Sequence, residues 1–445
     1  MDDYRVIADA LAADVGAGRL RPGDRLPPQR RFARDRGIAN STAARVYGEL
    51  VRRGLAVGEV GRGTFIRAAK PALEPALAEP GDARIDLELN FAVLPDQAAL
   101  LARGLEPLLR NDVFETTLRP SVVTGTRLAR EAAAQMLARG AWTPNPDDLL
   151  FTGSGRQAIA AAVAAFVPVG ERLAVESLTY PVAKAVAGRL GVTLVPIETD
   201  AAGMVPEALE EAHRAAPLRA VYLQPTLHNP LGITMDGPRL AALAATLRRL
   251  DLPAIEDGIY TFLRQDAPAL AELAPERTVL VDSLSKRLAP GLTTGFVVAP
   301  ASMNARIAAA ARSGGWTAGR FAVAAATQWI TDGTVAAIVS AKQLDAAGRQ
   351  RLTAERLAGF TLHADPHAYH CWWELPGQWR AETFVAAAAR YGIALTPAAA
   401  FAVVPGHAPN AVRLALGSPA PQVLASALDV LAGLAAGRPE DAVVE

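Results

Sequence analysis

The sequence predicts two modules: a helix-turn-helix head with a trailing hairpin, and an α/β body with a largely parallel sheet and a smaller α+β region behind it. Three observations predict this. From about residue 85, short apolar runs alternate with Ala/Leu-rich helical runs, the pattern of a parallel sheet covered by helices. Residues 1–68 carry 13 Arg against 8 Asp/Glu, so a net charge of zero divides into +5 for that segment and −5 for the rest. Between the two, AKPALEPALAEPGDAR (69–84) is Pro-rich with no sustained apolar period, the composition of a semi-extended linker. At 445 residues the chain also exceeds what one core usually holds.

In the head, RFARDRG (31–37) reads as a short helix with Gly37 as its C-cap. Asn40 or Ser41 is expected to cap the next helix, STAARVYGELVRRG, which runs to Gly54. Two helices joined by a tight Gly-containing turn, the second polar at its start, give the helix-turn-helix layout, in which Ser41, Thr42 and Arg45 face base edges. LAVGEVGRGTFI then reads as a hairpin whose tip, Gly61-Arg62-Gly63, reaches phosphate or the minor groove. A basic head suits an anionic partner.

In the body, the strand candidates are residues 147–153, 172–177, 192–198, 220–225, 253–258, 278–283 and 295–300. Helix-length runs such as RQAIAAAVAAFV (156–167) and GPRLAALAATLRRL (237–250) separate most of them. Ser154, Gln224, Asp257 and Ser283 cluster where these strands end, which is where open α/β sheets bind ligands. After residue 305 come long Ala-rich helices, then strand-like HAYHCWWELP and NAVRLALG. The expected division is 1–68 for the head, 69–84 for the linker and 85–437 for the body, with a larger subdomain at about 131–319.

Composition excludes several classes. The single Cys371 leaves no internal disulfide framework and no cysteine-rich zinc site. His367-x-x-His370 is the sole suggestive histidine spacing and sits in a strand-like region, so no metal is expected. No apolar run of about 18 residues argues for a membrane span, and the acid-bearing N-terminus reads as an amphipathic helix and not a signal peptide. A soluble, cytoplasmic protein is expected.

The most telling residue is Lys286, in VDSLSKRLAPGL. Only four of the 45 basic residues are lysines, at positions 70, 184, 286 and 342. An uncharged amine can form a Schiff base with a carbonyl; a guanidinium cannot. Pyridoxal phosphate is the usual carbonyl partner, and it asks for an acid at its pyridine nitrogen, a phosphate cradle and an aromatic over its ring. Asp257 supplies the acid, Tyr260 and Asn229 hydrogen bonds to a ring hydroxyl, and Tyr180 the stacking ring. TGSGRQAI (152–159), holding Ser154, Gly155 and Arg156, turns into a helix and offers free N–H groups to a phosphate, with Ser283 adding a hydroxyl.

These motifs carry two resemblances. GRLRPGDRLPPQR (18–30) and GRGTF (61–65) make the head resemble the GntR family of winged-helix transcription regulators, which implies a double-stranded DNA operator contacted by Arg30, Ser41, Thr42, Arg45 and Arg62. Residues 85–435 resemble the fold-type-I, aspartate aminotransferase-like enzymes, most specifically in SLSKRLAPG (283–291). TPAAAF (396–401) followed by VRLALG (412–417) resembles the segment whose Arg binds a substrate carboxylate, which puts Arg413 in that role. Together they resemble the MocR-type subfamily of GntR regulators: a DNA-binding head on an aminotransferase-like domain that holds pyridoxal phosphate and senses an amine or amino-acid effector. That resemblance implies a homodimer, each head lying against its partner's body in a head-to-tail swap, with GGWTAGRF (314–321) near a partner's cofactor.

One residue departs from the pattern. Thr293 stands where the resemblance expects an Arg on the cofactor phosphate, and Arg156 or Arg287 is the expected substitute, Arg156 the better placed. Two other functions stay open on these residues: an active aminotransferase carrying a DNA-binding head, and a cofactor-free regulator whose body only dimerises.

Overall fold

The computed structural model describes residues 4–16, 19–20, 23–52, 55–59, 63–66 and 83–439. Arg62, Gly54 and residues 69–82 of the linker lie outside the described residues.

The head packs α1 (Tyr4–Gly16), α2 (Gln29–Asp35) and α3 (Asn40–Arg52) against a hairpin of β1 (Ala56–Glu59) and β2 (Gly63–Ile66), paired antiparallel. Ala43, Val46, Tyr47 and Leu50 recur at helical spacing on α3 and close a core with Leu11, Phe32 and Ile66. The Tyr47 hydroxyl donates to Pro27 O at 2.6 Å, tying α3 to the approach of α2. Gly37 has φ 64°, the left-handed conformation that lets the chain leave α2. One expectation is corrected. α3 begins at Asn40, with Ala43 N already bonded to Ala39 O at 3.0 Å, so Asn40 and Ser41 lie inside the helix and neither caps it.

In the body all seven expected strands form: β3 (Leu149–Thr152), β4 (Arg172–Glu176), β5 (Thr193–Ile197), β6 (Ala220–Leu223), β7 (Ala254–Asp257), β8 (Thr278–Ser283) and β9 (Gly295–Val298). They make one sheet in the order β3-β9-β8-β7-β6-β4-β5. Only β9 runs against its neighbours; the other pairs are parallel. Val221 and Leu223 enter one apolar cluster and Tyr222 the other, because alternate residues of β6 face opposite covered sides. Helix α4 (Gly155–Phe166) covers one side with Ala158, Ala162 and Val163, directly after β3.

The long helix α5 (Thr334–Arg356) leads to the smaller sheet, β10 (Thr361–Ala364), β11 (His370–Glu374), β12 (Thr396–Pro397) and β13 (Ala411–Ala415), antiparallel in the order β10-β11-β13-β12. Cys371, Trp372 and Trp373 are buried there, and burial pushes the Cys371 thiol up to about 12. Residues Ile85–Asp86 pair in parallel with Ile393–Ala394, so the chain leaves the linker along the small subdomain. The head rests on the same subdomain of its own chain: the Arg380 guanidinium lies 3.5 Å over the Phe65 ring. Among the described residues no single helix is long and apolar enough to cross a membrane; Arg320–Thr331 and Thr334–Arg356 pass together only as a pair bent by 71°.

Candidate functional site

At the carboxyl ends of β3, β6, β7 and β8 a pocket of about 620 Å³ opens between the large sheet and the small subdomain. Its wall includes all ten residues expected there: Ser154, Gly155, Arg156, Tyr180, Asn229, Asp257, Tyr260, Ser283, Lys286 and Arg413. That volume suits a cofactor with a small ligand.

The phosphate end is built from two helix starts. The Ser154 side chain accepts from Gln157 N at 3.3 Å and caps α4; the Ser283 side chain does the same for the short helix Leu284–Arg287. The turn between them is tight, since a Cβ on Gly155 would lie 3.0 Å from Ser283 Oγ. Ser285, 2.8 Å from Ser283 Oγ, also lines the wall. Arg156 is the cation at this end, beside Tyr180. Arg287 does not serve here, which corrects one of the two expected substitutes. It is buried, ion-paired with Asp282 Oδ2 and packed over the Phe262 ring, and it does not line the pocket.

The opposite end is set by Asp257. Its Oδ2 accepts from Tyr222 Oη at 2.6 Å and Gln224 Nε2 at 2.9 Å, and its Oδ1 accepts from Ile259 N at 3.1 Å. Burial raises its pKa to about 6, while those three donors pull the other way. Gln224 Oε1 in turn accepts from Asn229 N at 3.2 Å, which fixes that neighbour. Tyr260 receives a 3.4 Å bond from Asn90 Nδ2 and is pushed up to about 12 by burial.

Lys286 and Arg413 line the same pocket, close enough for the guanidinium to act on the amine. The Lys286 amine is held well below its ordinary range, first by burial and then by Arg413, Arg156 and Lys342. It donates to Asn90 O at 2.6 Å and lies 3.5 Å over the Phe91 ring. Arg413 bonds Asn229 Oδ1 at 3.2 Å, Thr396 Oγ1 at 3.1 Å and Glu88 O, with its Nε buried and unpartnered. Glu88 lines the same wall, its carboxyl raised to about 7 by burial and Asp86 against the pull of Arg413.

These residues fit pyridoxal phosphate. Three buried atoms of wall residues, Asn90 Oδ1, Thr293 Oγ1 and Arg413 Nε, lack a partner among the described residues, and the same wall holds an acid, an amine and a cradle. Sequence reasoning missed Tyr222 and the Glu88–Phe91 segment, and it quoted TPAAAF (396–401) without giving Thr396 or Phe401 a role of its own. Tyr222 had one usable signal: it stands two residues before Gln224 on one strand, hence on the same side. In the head, Arg30, Ser41 and Arg45 are exposed and Thr42 is half-buried at the start of α3, a surface open to DNA.

Residues 111–431 match the family described as "Aminotransferase class I and II", and residues 3–66 match "Bacterial regulatory proteins, gntR family". The chain is 30% identical over 419 residues to "Uncharacterized HTH-type transcriptional regulator YdeF" of Bacillus subtilis (strain 168), covering 94% of this chain and 90% of that protein. It is 27% identical over 359 residues to "Vitamin B6 salvage pathway transcriptional repressor PtsJ" of Salmonella typhimurium, covering 79% and 77%. The crystal structure of an archaeal alanine:glyoxylate aminotransferase matches with a TM-score of 0.72 at 19% identity, over 88% of this chain and 94% of that one, a likeness of fold.

Proposed function

The chain belongs to the MocR-type GntR transcription regulators, a gntR head fused to a class I and II aminotransferase domain, and from that premise we propose that its body reports an amine or amino-acid effector to the head. Membership of the aminotransferase family implies pyridoxal phosphate as the cofactor. Bound, it supplies a carbonyl for amines and an electron-drawing ring. Lys286 is the attachment point, Asp257 holds a proton at the pyridine nitrogen, and Ser154, Gly155, Arg156 and Ser283 hold the phosphate. Tyr180, Asn229 and Tyr260 orient the ring, and Arg413 takes the effector carboxylate.

One observation carries this reading: a buried amine with a lowered pKa shares a pocket with a buried guanidinium. The downward shift favours the uncharged amine that attacks a carbonyl, and a guanidinium is a planar donor suited to a carboxylate. An effector that binds open and closed arrangements unequally shifts the head without being turned over. A relative named as a vitamin B6 salvage repressor supports a link between this cofactor chemistry and gene control.

In the reading we favour, residues 1–68 contact operator DNA through Arg30, Ser41, Thr42, Arg45 and Arg62, 69–84 link, and 85–437 form the body with its larger subdomain at about 131–319. The protein works as a cytoplasmic homodimer, with GGWTAGRF (314–321) beside the neighbouring cofactor. A head-to-tail swap would exchange the Arg380–Phe65 contact for the same contact between chains.

The test is the visible absorption spectrum of the protein with added pyridoxal phosphate, beside that of Lys286→Ala. A band in the wild type alone is expected. No band in either would leave a body that only dimerises. Because Lys286, Asp257 and Arg413 meet in one pocket, aminotransferase activity is the second reading. Steady conversion of an amino acid and a keto acid would establish it; loss of the band without turnover would favour the sensor.

A further inference from the structure

Lys342 is a buried lysine outside the pocket chemistry, 1% exposed on α5. Its amine donates to Lys286 O at 2.9 Å and to Leu288 O at 2.7 Å. Those carbonyls lie at the end of the Leu284–Arg287 helix, where no further turn supplies them with N–H groups. A compact amine can aim separate N–H bonds at two converging carbonyls, whereas a planar guanidinium needs a flatter, wider site. This accounts for a second lysine in an arginine-rich chain.

The same helix reaches both halves of the site. One residue on, Gln343 Nε2 donates to Phe262 O at 2.7 Å, in the large subdomain. Two turns later Arg349 donates to Leu416 O and Pro419 O at 2.6 Å, just past the strand that carries Arg413, and Gln350 donates to Ala368 O and His370 O. Tyr369 closes the arrangement: its hydroxyl lies 2.8 Å from Lys342 O and 2.9 Å from Asp345 Oδ2, the two acceptors within reach of its one proton.

We propose that Lys342 is a positioning residue for Lys286: its amine clamps the backbone from which Lys286 reaches the pocket and fixes that backbone to the helix joining the two subdomains. The inference rests on Lys286 holding pyridoxal phosphate. Lys342 is also among the cations that hold the Lys286 amine down, after burial, Arg413 and Arg156.

Wild type, Lys342→Met and Lys342→Gln are each titrated with pyridoxal phosphate, reading apparent affinity and the pH midpoint of the visible band. Met keeps the stem and loses both donors; Gln keeps N–H donors without the charge. For Met, which loses two backbone contacts, we expect affinity lower by at least about tenfold, the worth of one charge-assisted hydrogen bond, and a midpoint shifted upward. Gln should recover affinity while keeping the raised midpoint. A Met variant with wild-type thermal melting, affinity and midpoint overturns the inference. Should Met fail to fold, Lys342→Arg, whose planar guanidinium cannot aim at both carbonyls, takes its place, and wild-type affinity in that variant overturns the inference. A wild type without any band sinks the reading of Lys286 and this inference together, which separates the two failures.

Discussion

Asp257 is pulled in two directions. Burial favours its neutral form and raises its pKa from 3.8 to about 6, while Tyr222, Ile259 and Gln224 donate to the charged form. A folded pKa above the unfolded one means this group contributes stability that is complete below about pH 4 and lost as pH rises through about 6. The loss is on the order of 3 kcal/mol. Without cofactor, the protein should therefore melt at lower temperature at pH 7 than at pH 5, and Asp257→Asn should reduce that slope. Glu88, raised to about 7, acts in the same sense, while His370, lowered to about 3 by burial, acts in the opposite one, so the Asn variant keeps a pH dependence of its own. Tyr222→Phe removes the 2.6 Å donor, so it should push the fall in stability to higher pH. Melting curves recorded across pH 4 to 8 would decide; a slope untouched by both substitutions would remove Asp257 from this account.

At the scale of elements, the seven strands were readable because a sheet covered on both faces leaves short, nearly unbroken apolar runs. The strand-end polar residues were readable for the same reason: polarity appears where burial stops. Sequence could not show what arrives from far along the chain. Asn90 meets Lys286 across 196 positions and Lys342 meets it across 56, and neither contact leaves a local pattern. Arg287 stood beside Arg156 as an alternative because sequence does not show that it pairs with Asp282. The α4 start gives the next prediction. Arg156 is the cation on its phosphate turn, and Thr293 Oγ1 is buried without a partner. Arg156→Ala should weaken pyridoxal phosphate binding by roughly one to two powers of ten, the worth of a charge-assisted contact. Thr293→Arg on that background should restore much of it. Titrating the visible band in the three proteins measures both effects, and an unaffected Arg156→Ala would assign the phosphate to the backbone N–H groups alone.

For the whole molecule, the proposed dimer requires a surface on which two copies meet. Leu109, Phe114, Leu118, Val122, Leu128 and Phe321 are exposed in the segment 105–128 and on the facing helix, where Phe114 and Phe321 meet edge-on at 6.1 Å. Leu118 alone is 72% exposed. Large apolar side chains gathered this way mark an interaction surface on a folded protein. A second copy is the occupant we infer, since two-fold operators are read by dimers whose heads repeat at a fixed spacing. Leu118→Asp should then shift the protein from dimer to monomer in sedimentation. An exposed site tolerates the charge within about 0.5 kcal/mol, so the fold should hold. The second consequence separates an interface from a decorative patch. Losing the partner removes one of two linked DNA contacts, so affinity for a promoter fragment should fall by more than the tenfold spread of ordinary surface variants, by up to 10²–10⁴ where both heads engage at once. A Leu118→Asp protein that still sediments as a dimer, or that binds DNA as wild type does, would move the dimer interface elsewhere on the body.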